Sequence, residues 1–240
     1  MLSPTEITRA SLRSIREREK QSKMLKEIRK HFPPRPWKSE SSFATLIHTI
    51  LSQNTNDRNS DRAMRELQRH YAIKPSSLAN AKATDLIRLI RPAGLYRAKA
   101  THIIQVSNII QKEYGGKLTE ILRLSYRNAK QKLTSLPGVG PKTADILLAF
   151  IAGHEIVPVD THVSRIAKRL GIVPINARYE TIRENLESLT IPSQRRTLHL
   201  SMIRFGRTIC KAPKPFCEKC PINSGCPSSS VNVNAVNNSF

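Results

Sequence analysis

All four cysteines of this chain, Cys210, Cys217, Cys220 and Cys226, fall within seventeen residues and are spaced C-x6-C-x2-C-x5-C. Thiols gathered this way can form disulfides or ligate a metal. The first thirty residues lack the apolar core of a secretory signal, and a chain of 240 residues folds without staples, which argues against two disulfides. Zinc sites of four cysteines usually come as two C-x2-C knuckles, whereas here there is one such pair flanked by wider arms. A 4Fe-4S cluster suits four thiolates better, and Pro221 and Pro227 directly follow two of them, as at the end of ferredoxin cysteine runs. Lys211, Lys214 and Lys219 sit in the intervening loops, so rigid clamps on the cysteines would hold positive charge outward, and the cluster's role would be mainly structural.

A second constellation is Leu136-Pro137-Gly138-Val139-Gly140-Pro141-Lys142-Thr143-Ala144. Glycine permits positive φ and close approach, so backbone N–H groups around Gly138 and Gly140 could face a phosphate while the following helix adds its N-terminal partial charge. Such a hairpin grips backbone rather than reading sequence. The plainer reading is a Gly-Pro loop between two packed helices. Lys142 opens the second helix, and eighteen residues later Asp160 stands in Val159-Asp160-Thr161-His162 at the start of another. A free amine at a helix N-terminus could serve as a nucleophile; a solvated lysine would only bind phosphate. Asp160 could be a catalytic carboxylate or a helix N-cap, and His162 reads as structural. A weaker copy of the hairpin runs from Leu89 to Ala100, with Gly94 and Lys99 before a helix.

The elements that must position these groups are helices. Phe43, Leu46, Ile47 and Ile50 repeat at i, i+3, i+4, i+7, as do Ala144, Leu147, Leu148 and Ile151, and Val163, Ile166, Ala167 and Leu170. Breaks at Pro33, Gly94, Gly115, Pro137 to Pro141, Gly153, Pro174 and Pro192 divide the chain into ten or so helices. Ile156 to Val159 is the one extended-looking stretch, and it has no partner run. The fold class is all-α. Forty Lys and Arg against eighteen Asp and Glu give a net charge of +22, which draws in polyanions, and the apolar runs are too short for a bilayer. Aromatic residues make up only 5% of the chain, too few for the stacking platforms of single-strand binders, so a duplex is the better partner. Ser228 to Phe240 reads as a mobile tail.

Together, the hairpin, Lys142, Asp160 and the terminal cysteines resemble the endonuclease III family of helix-hairpin-helix DNA glycosylases, over about residues 43 to 227. The resemblance implies two helical domains: a six-helix barrel with the helix-hairpin-helix at 35–154, and a 4Fe-4S cluster domain made of 1–34 and 155–227, followed by the tail 228–240. It implies a bifunctional glycosylase/AP lyase of base excision repair that flips a damaged base, by family default an oxidised pyrimidine, attacks C1′ through Lys142 and nicks the strand by β-elimination. Asp160 would be the acidic partner, and Cys210, Cys217, Cys220 and Cys226 the iron ligands. The family's wedge loop resembles Leu51 to Asp57; its glutamine slot holds Asn54 here, with Gln53 one position before, and either could plug the stack. Leu95 resembles the second wedge. The partner implied is double-stranded DNA with a damaged base or abasic site, met by a monomer without a membrane; the absence of a targeting segment and reduced cysteines suit a prokaryotic cytoplasm, on the nucleoid. The alternatives are a mismatch-directed uracil/thymine or adenine glycosylase, the last opposed by Lys142, and two non-enzymes: an iron-sulfur DNA-binding protein and a zinc-bearing RNA-binding module.

Overall fold

A computed structural model describes residues 4–34 and 40–230, and every regular element among them is helical. Twelve α-helices follow in order: α1 Pro4–His31, α2 Ser42–Ser52, α3 Asp57–His70, α4 Pro75–Ala79, α5 Ala83–Leu89, α6 Tyr96–Glu113, α7 Thr119–Leu122, α8 Tyr126–Thr134, α9 Pro141–Phe150, α10 Thr161–Arg169, α11 Tyr179–Ser188 and α12 Arg195–Thr208. Short 3-10 turns lie at Arg91–Ala93, Pro192–Gln194, Cys217–Lys219 and Asn223–Gly225. No described helix is long and apolar enough to cross a membrane. The chain divides into two compact units, one Trp37–His154 and the other Met1–Pro36 with Glu155–Phe240.

The first unit is built around α2. Ser41 starts that helix, its hydroxyl accepting from the Ala44 N–H at 3.1 Å, and nearly every residue after it is buried, as a helix apolar all round must be. Leu46, Ile47 and Ile50 of α2 are fully buried, as are Leu67 of α3, Leu86 of α5, Ile103 of α6 and Leu147 of α9. Helices α3, α6 and α9 lie against α2, while α4 and α5 cover α6. The stripes of α2, α6 and α9 follow the spacing read from the sequence because each helix turns one face to this shared core.

The second unit packs α1 and α10 on α12, with Met24, Leu25, Ile28, Val163, Ile166, Met202 and Phe205 in its core. The Phe32 and Phe205 rings meet at 5.0 Å between centroids. Ile156 to Val159 has no strand to pair with among the described residues; side chains take that part. The Glu187 carboxylate accepts from the Val157 N–H at 3.0 Å, and the Tyr179 hydroxyl from the Val159 N–H at 3.3 Å. That fixes where α10 begins. At the chain's other end Ser229 is buried and its N–H donates to the Cys226 carbonyl at 3.2 Å, so packed structure continues past Pro227; residues 231–240 of the expected tail lie outside the described residues.

Candidate functional site

In the first unit, α8 and α9 with the turn between them form the expected hairpin. Buried Leu136 and Val139 anchor the turn. Gly138 has φ +75, and a Cβ there would sit 2.7 Å from the His102 ring nitrogen, so both conformation and space demand glycine. Gly140 differs: it caps α9 at φ −90 with nothing within 4 Å of a built Cβ, so neither reason applies and its backbone stands open to an approaching group. Pro141 takes the first helical position, where a missing N–H costs nothing. Lys142 comes next, half-buried. Behind the hairpin, fully buried Asp145 accepts from the Tyr126 hydroxyl at 3.1 Å and the Lys130 ammonium at 3.1 Å, which ties α9 to α8.

Two segments of the same unit carry the candidate wedges. Asn54 (φ +51) and Leu95 (φ +47) are the two non-glycine residues with positive φ among the described residues, and both are exposed. Leu95 stands 59% in solvent, with exposed Arg91 and Arg97 close by in sequence. Gln53 is committed inward: its amide nitrogen donates to the Gly138 carbonyl at 2.8 Å and to the Thr143 hydroxyl at 3.2 Å. Of the two adjacent amides, Asn54 is the exposed one and Gln53 the one bonded inward. Lys99 is not a solvated lysine before a helix. It lies inside α6, buried, and its ammonium donates to the carbonyls of Leu51 at 2.8 Å, Gln53 at 2.6 Å and Ala93 at 2.8 Å. Burial lowers its pKa to about 8, so at neutral pH it still carries all three N–H donors.

In the second unit, Asp160 caps α10, its Oδ1 accepting from the Val163 N–H at 2.8 Å. His162 packs where α10 meets Gly206 of α12; a Cβ at Gly206 would fall 2.9 Å from the His162 ring. Arg165, one turn on, lies 3.1 Å from the His162 ring nitrogen and donates to the carbonyls of Gly206 at 3.1 Å and Cys210 at 3.0 Å. Cys210, Cys217, Cys220 and Cys226 form no disulfide and line one pocket with Arg169, Phe205 and Ile222 among its walls. Burial raises the Cys220 thiol to about 11 and also raises Cys226, so positive charge from a bound metal would be needed to hold these thiolates near neutral pH. Among the described residues no three His, Cys, Asp or Glu side chains converge closely enough to hold a single ion. Four cysteine thiols lining one pocket are a donor set that a thiolate-ligated group can use. Arg169 donates to the Cys210 sulfur at 3.3 Å and to the Lys211 carbonyl at 2.6 Å, while Lys211, Lys214 and Lys219 are exposed. Lys99, Asp145, Arg165 and Arg169 escape a sequence reading because each acts through a distant partner.

Residues 47–192 match the HhH-GPD superfamily of base excision DNA repair proteins, a span that holds the hairpin, Lys142 and Asp160. This chain belongs to that family. The Endonuclease III of Thermotoga maritima is 40% identical over 203 residues, 85% of this chain and 90% of its own length. The Endonuclease III of Sulfolobus acidocaldarius is 33% identical over 190 residues, 79% of this chain and 83% of its own. Among solved structures, a trapped Endonuclease III–DNA covalent intermediate is 26% identical, with a TM-score of 0.79 over 97% of this chain and all of the other. A thermostable thymine-DNA glycosylase, 19% identical with a TM-score of 0.70, shares the fold. Within this HhH-GPD protein the four cysteines lie C-terminal to the family span, while Arg169 and Leu170, which line the same pocket, lie inside it.

Proposed function

We propose that this protein is a bifunctional DNA glycosylase and AP lyase of base excision repair, with Lys142 as its nucleophile. The observation that carries this reading is the position of Lys142, second residue of a helix that follows a glycine-turned hairpin, in a chain similar to Endonuclease III and to a covalent Endonuclease III–DNA intermediate. The substrate is duplex DNA with a damaged base, oxidised pyrimidines first, or an abasic site. C1′ cannot be reached inside an intact stack, so the nucleotide is extruded, and Asn54 and Leu95 fill the two vacated sides. Both stand exposed, which supports that assignment. Backbone N–H groups at Gly138 and Gly140 with the α9 N-terminus hold a phosphate, and Lys211 and Lys214 hold others.

The unprotonated Lys142 amine attacks C1′; the bond to the base breaks, and the base leaves with the electron pair and takes up a proton. The amine, cationic after attack, gives up a proton, and O4′ takes one as the C1′–O4′ bond opens to an imine; this acidifies the C2′ hydrogen, whose loss as a proton expels the 3′ phosphate and nicks the strand, and water then hydrolyses the imine to free Lys142. Asp160 supplies negative charge while C1′ becomes electron-poor. Its cap uses Oδ1, so a carboxylate can keep the helix start and offer its second oxygen. Cys210, Cys217, Cys220 and Cys226 would hold a 4Fe-4S cluster, whose iron–thiolate bonds would fix the loop that carries Lys211 and Lys214. The protein would act as a monomer in the prokaryotic cytoplasm, where the chromosome is. Borohydride trapping on a panel of single-lesion duplexes tests the reading: a covalent adduct from the wild type and none from Lys142→Gln supports it, and an adduct from the variant overturns it.

A further inference from the structure

Among the described residues Lys99 is the one lysine or arginine that is buried, 2% exposed, and the chemistry above makes no use of it. Its three acceptors come from two stretches: Leu51 and Gln53 at the end of α2, and Ala93 in the 3-10 turn before α6. Gln53 directly precedes Asn54, and Ala93 lies two residues before Leu95. Both exposed residues hold the left-handed conformation, which a leucine disfavours more than an asparagine, and such strain persists only where the surroundings over-determine it. Three charge-assisted bonds to two segments are a means of doing so. The inward commitment of the Gln53 amide to Gly138 completes the restraint on that loop.

We propose that Lys99 is a positioning residue that straps the 51–54 loop to the 91–95 turn and so sets the placement of Asn54 and Leu95 for entry into the duplex. This rests on the glycosylase reading, since a wedge matters only if a nucleotide must leave a stack. A lysine that merely satisfied buried carbonyls would, when lost, lower stability and lower every activity alike. A positioning lysine acts on the paired substrate, where extrusion costs most, and spares an unpaired one.

The test compares single-turnover borohydride trapping on an abasic site in a fully paired duplex and on the same site in a single strand. For Lys99→Met and Lys99→Gln the expected result is a loss of tenfold or more on the duplex with less than about threefold on the single strand. An equal loss on both, or none, overturns the proposal. Should the wild type itself give no adduct, it is the assignment of Lys142 that fails. A measurement on the wild type stands whether or not the variants fold: reductive methylation followed by peptide mass spectrometry is expected to leave Lys99 at under a tenth of the modification seen at exposed Lys112 and Lys117. Methylation of Lys99 to the same extent as these would mean that the strap is open, and would sink the idea.

Discussion

Lys142 and Asp160 can each be separated from their plainer roles by a single substitution. An imine needs a primary amine, so Lys142→Gln should abolish trapping and strand nicking, while the hairpin backbone and the remaining cations keep duplex affinity within about tenfold, or about 1.4 kcal/mol. Filter or anisotropy binding beside the trapping assay checks both halves, and a large loss of affinity would make Lys142 chiefly a phosphate lysine. Asp160 is shown capping α10, a role that asparagine fills about as well. Asp160→Asn should therefore leave the melting temperature nearly unchanged and still cut turnover by about a hundredfold or more, the scale of losing one electrostatic stabiliser. Full activity in that variant would leave Asp160 with only its cap.

At the scale of elements, the hairpin divides its duties between two glycines and a buried ion pair. Gly138→Ala forces φ +75 on a side chain and drives Cβ into His102, so a loss of about 1–3 kcal/mol in chemical denaturation is expected. Gly140→Ala meets neither obstacle: its stability should hold or rise slightly, while DNA affinity falls, because the added methyl stands where a phosphate would come. Reversed behaviour of the two variants would mean that the close approach occurs at Gly138 instead. Asp145 lies fully buried between Tyr126 and Lys130, and Asp145→Ala would leave the largely buried Lys130 ammonium without its carboxylate. Breaking such a pair costs about 3–5 kcal/mol, which urea melts would register as a lower midpoint with a similar slope.

For the whole molecule, a net charge of +22 makes attraction to DNA general and leaves selectivity to the chemistry of the site. Binding to undamaged duplex should weaken steeply with salt, and each phosphate contact removed should lower the slope of log K against log salt by about 0.9. Exposed Lys211 and Lys214 lie in the cysteine loop, so replacing both by alanine should flatten that slope by about one to two if the loop rests on DNA. An unchanged slope would turn the loop away from it. Anaerobically purified protein should hold about four irons and as many labile sulfides per chain. Stoichiometric zinc without sulfide would end the cluster assignment.

Local spacing alone determined much of this protein: the i, i+3, i+4 stripes of α2, α9 and α10, the glycine turn with Lys142 directly after it, Asp160 at a helix start and the cysteine loop. Each of these is a pattern within one short segment, where helical period, capping and turn chemistry write themselves into neighbouring residues. Tertiary structure decided the rest. Gln53 and Asn54 are adjacent amides that no local rule tells apart, until contacts with Gly138 and Thr143, far along the chain, take Gln53 inward and leave Asn54 exposed. Lys99 reads as one more basic residue in a basic chain, and its burial depends on carbonyls supplied by Leu51, Gln53 and Ala93. Arg165 and Arg169 likewise find their acceptors at Gly206, Cys210 and Lys211, some forty residues on. A backbone carbonyl is offered by every residue whatever its type, so the partners that make these charges functional leave no mark in the sequence.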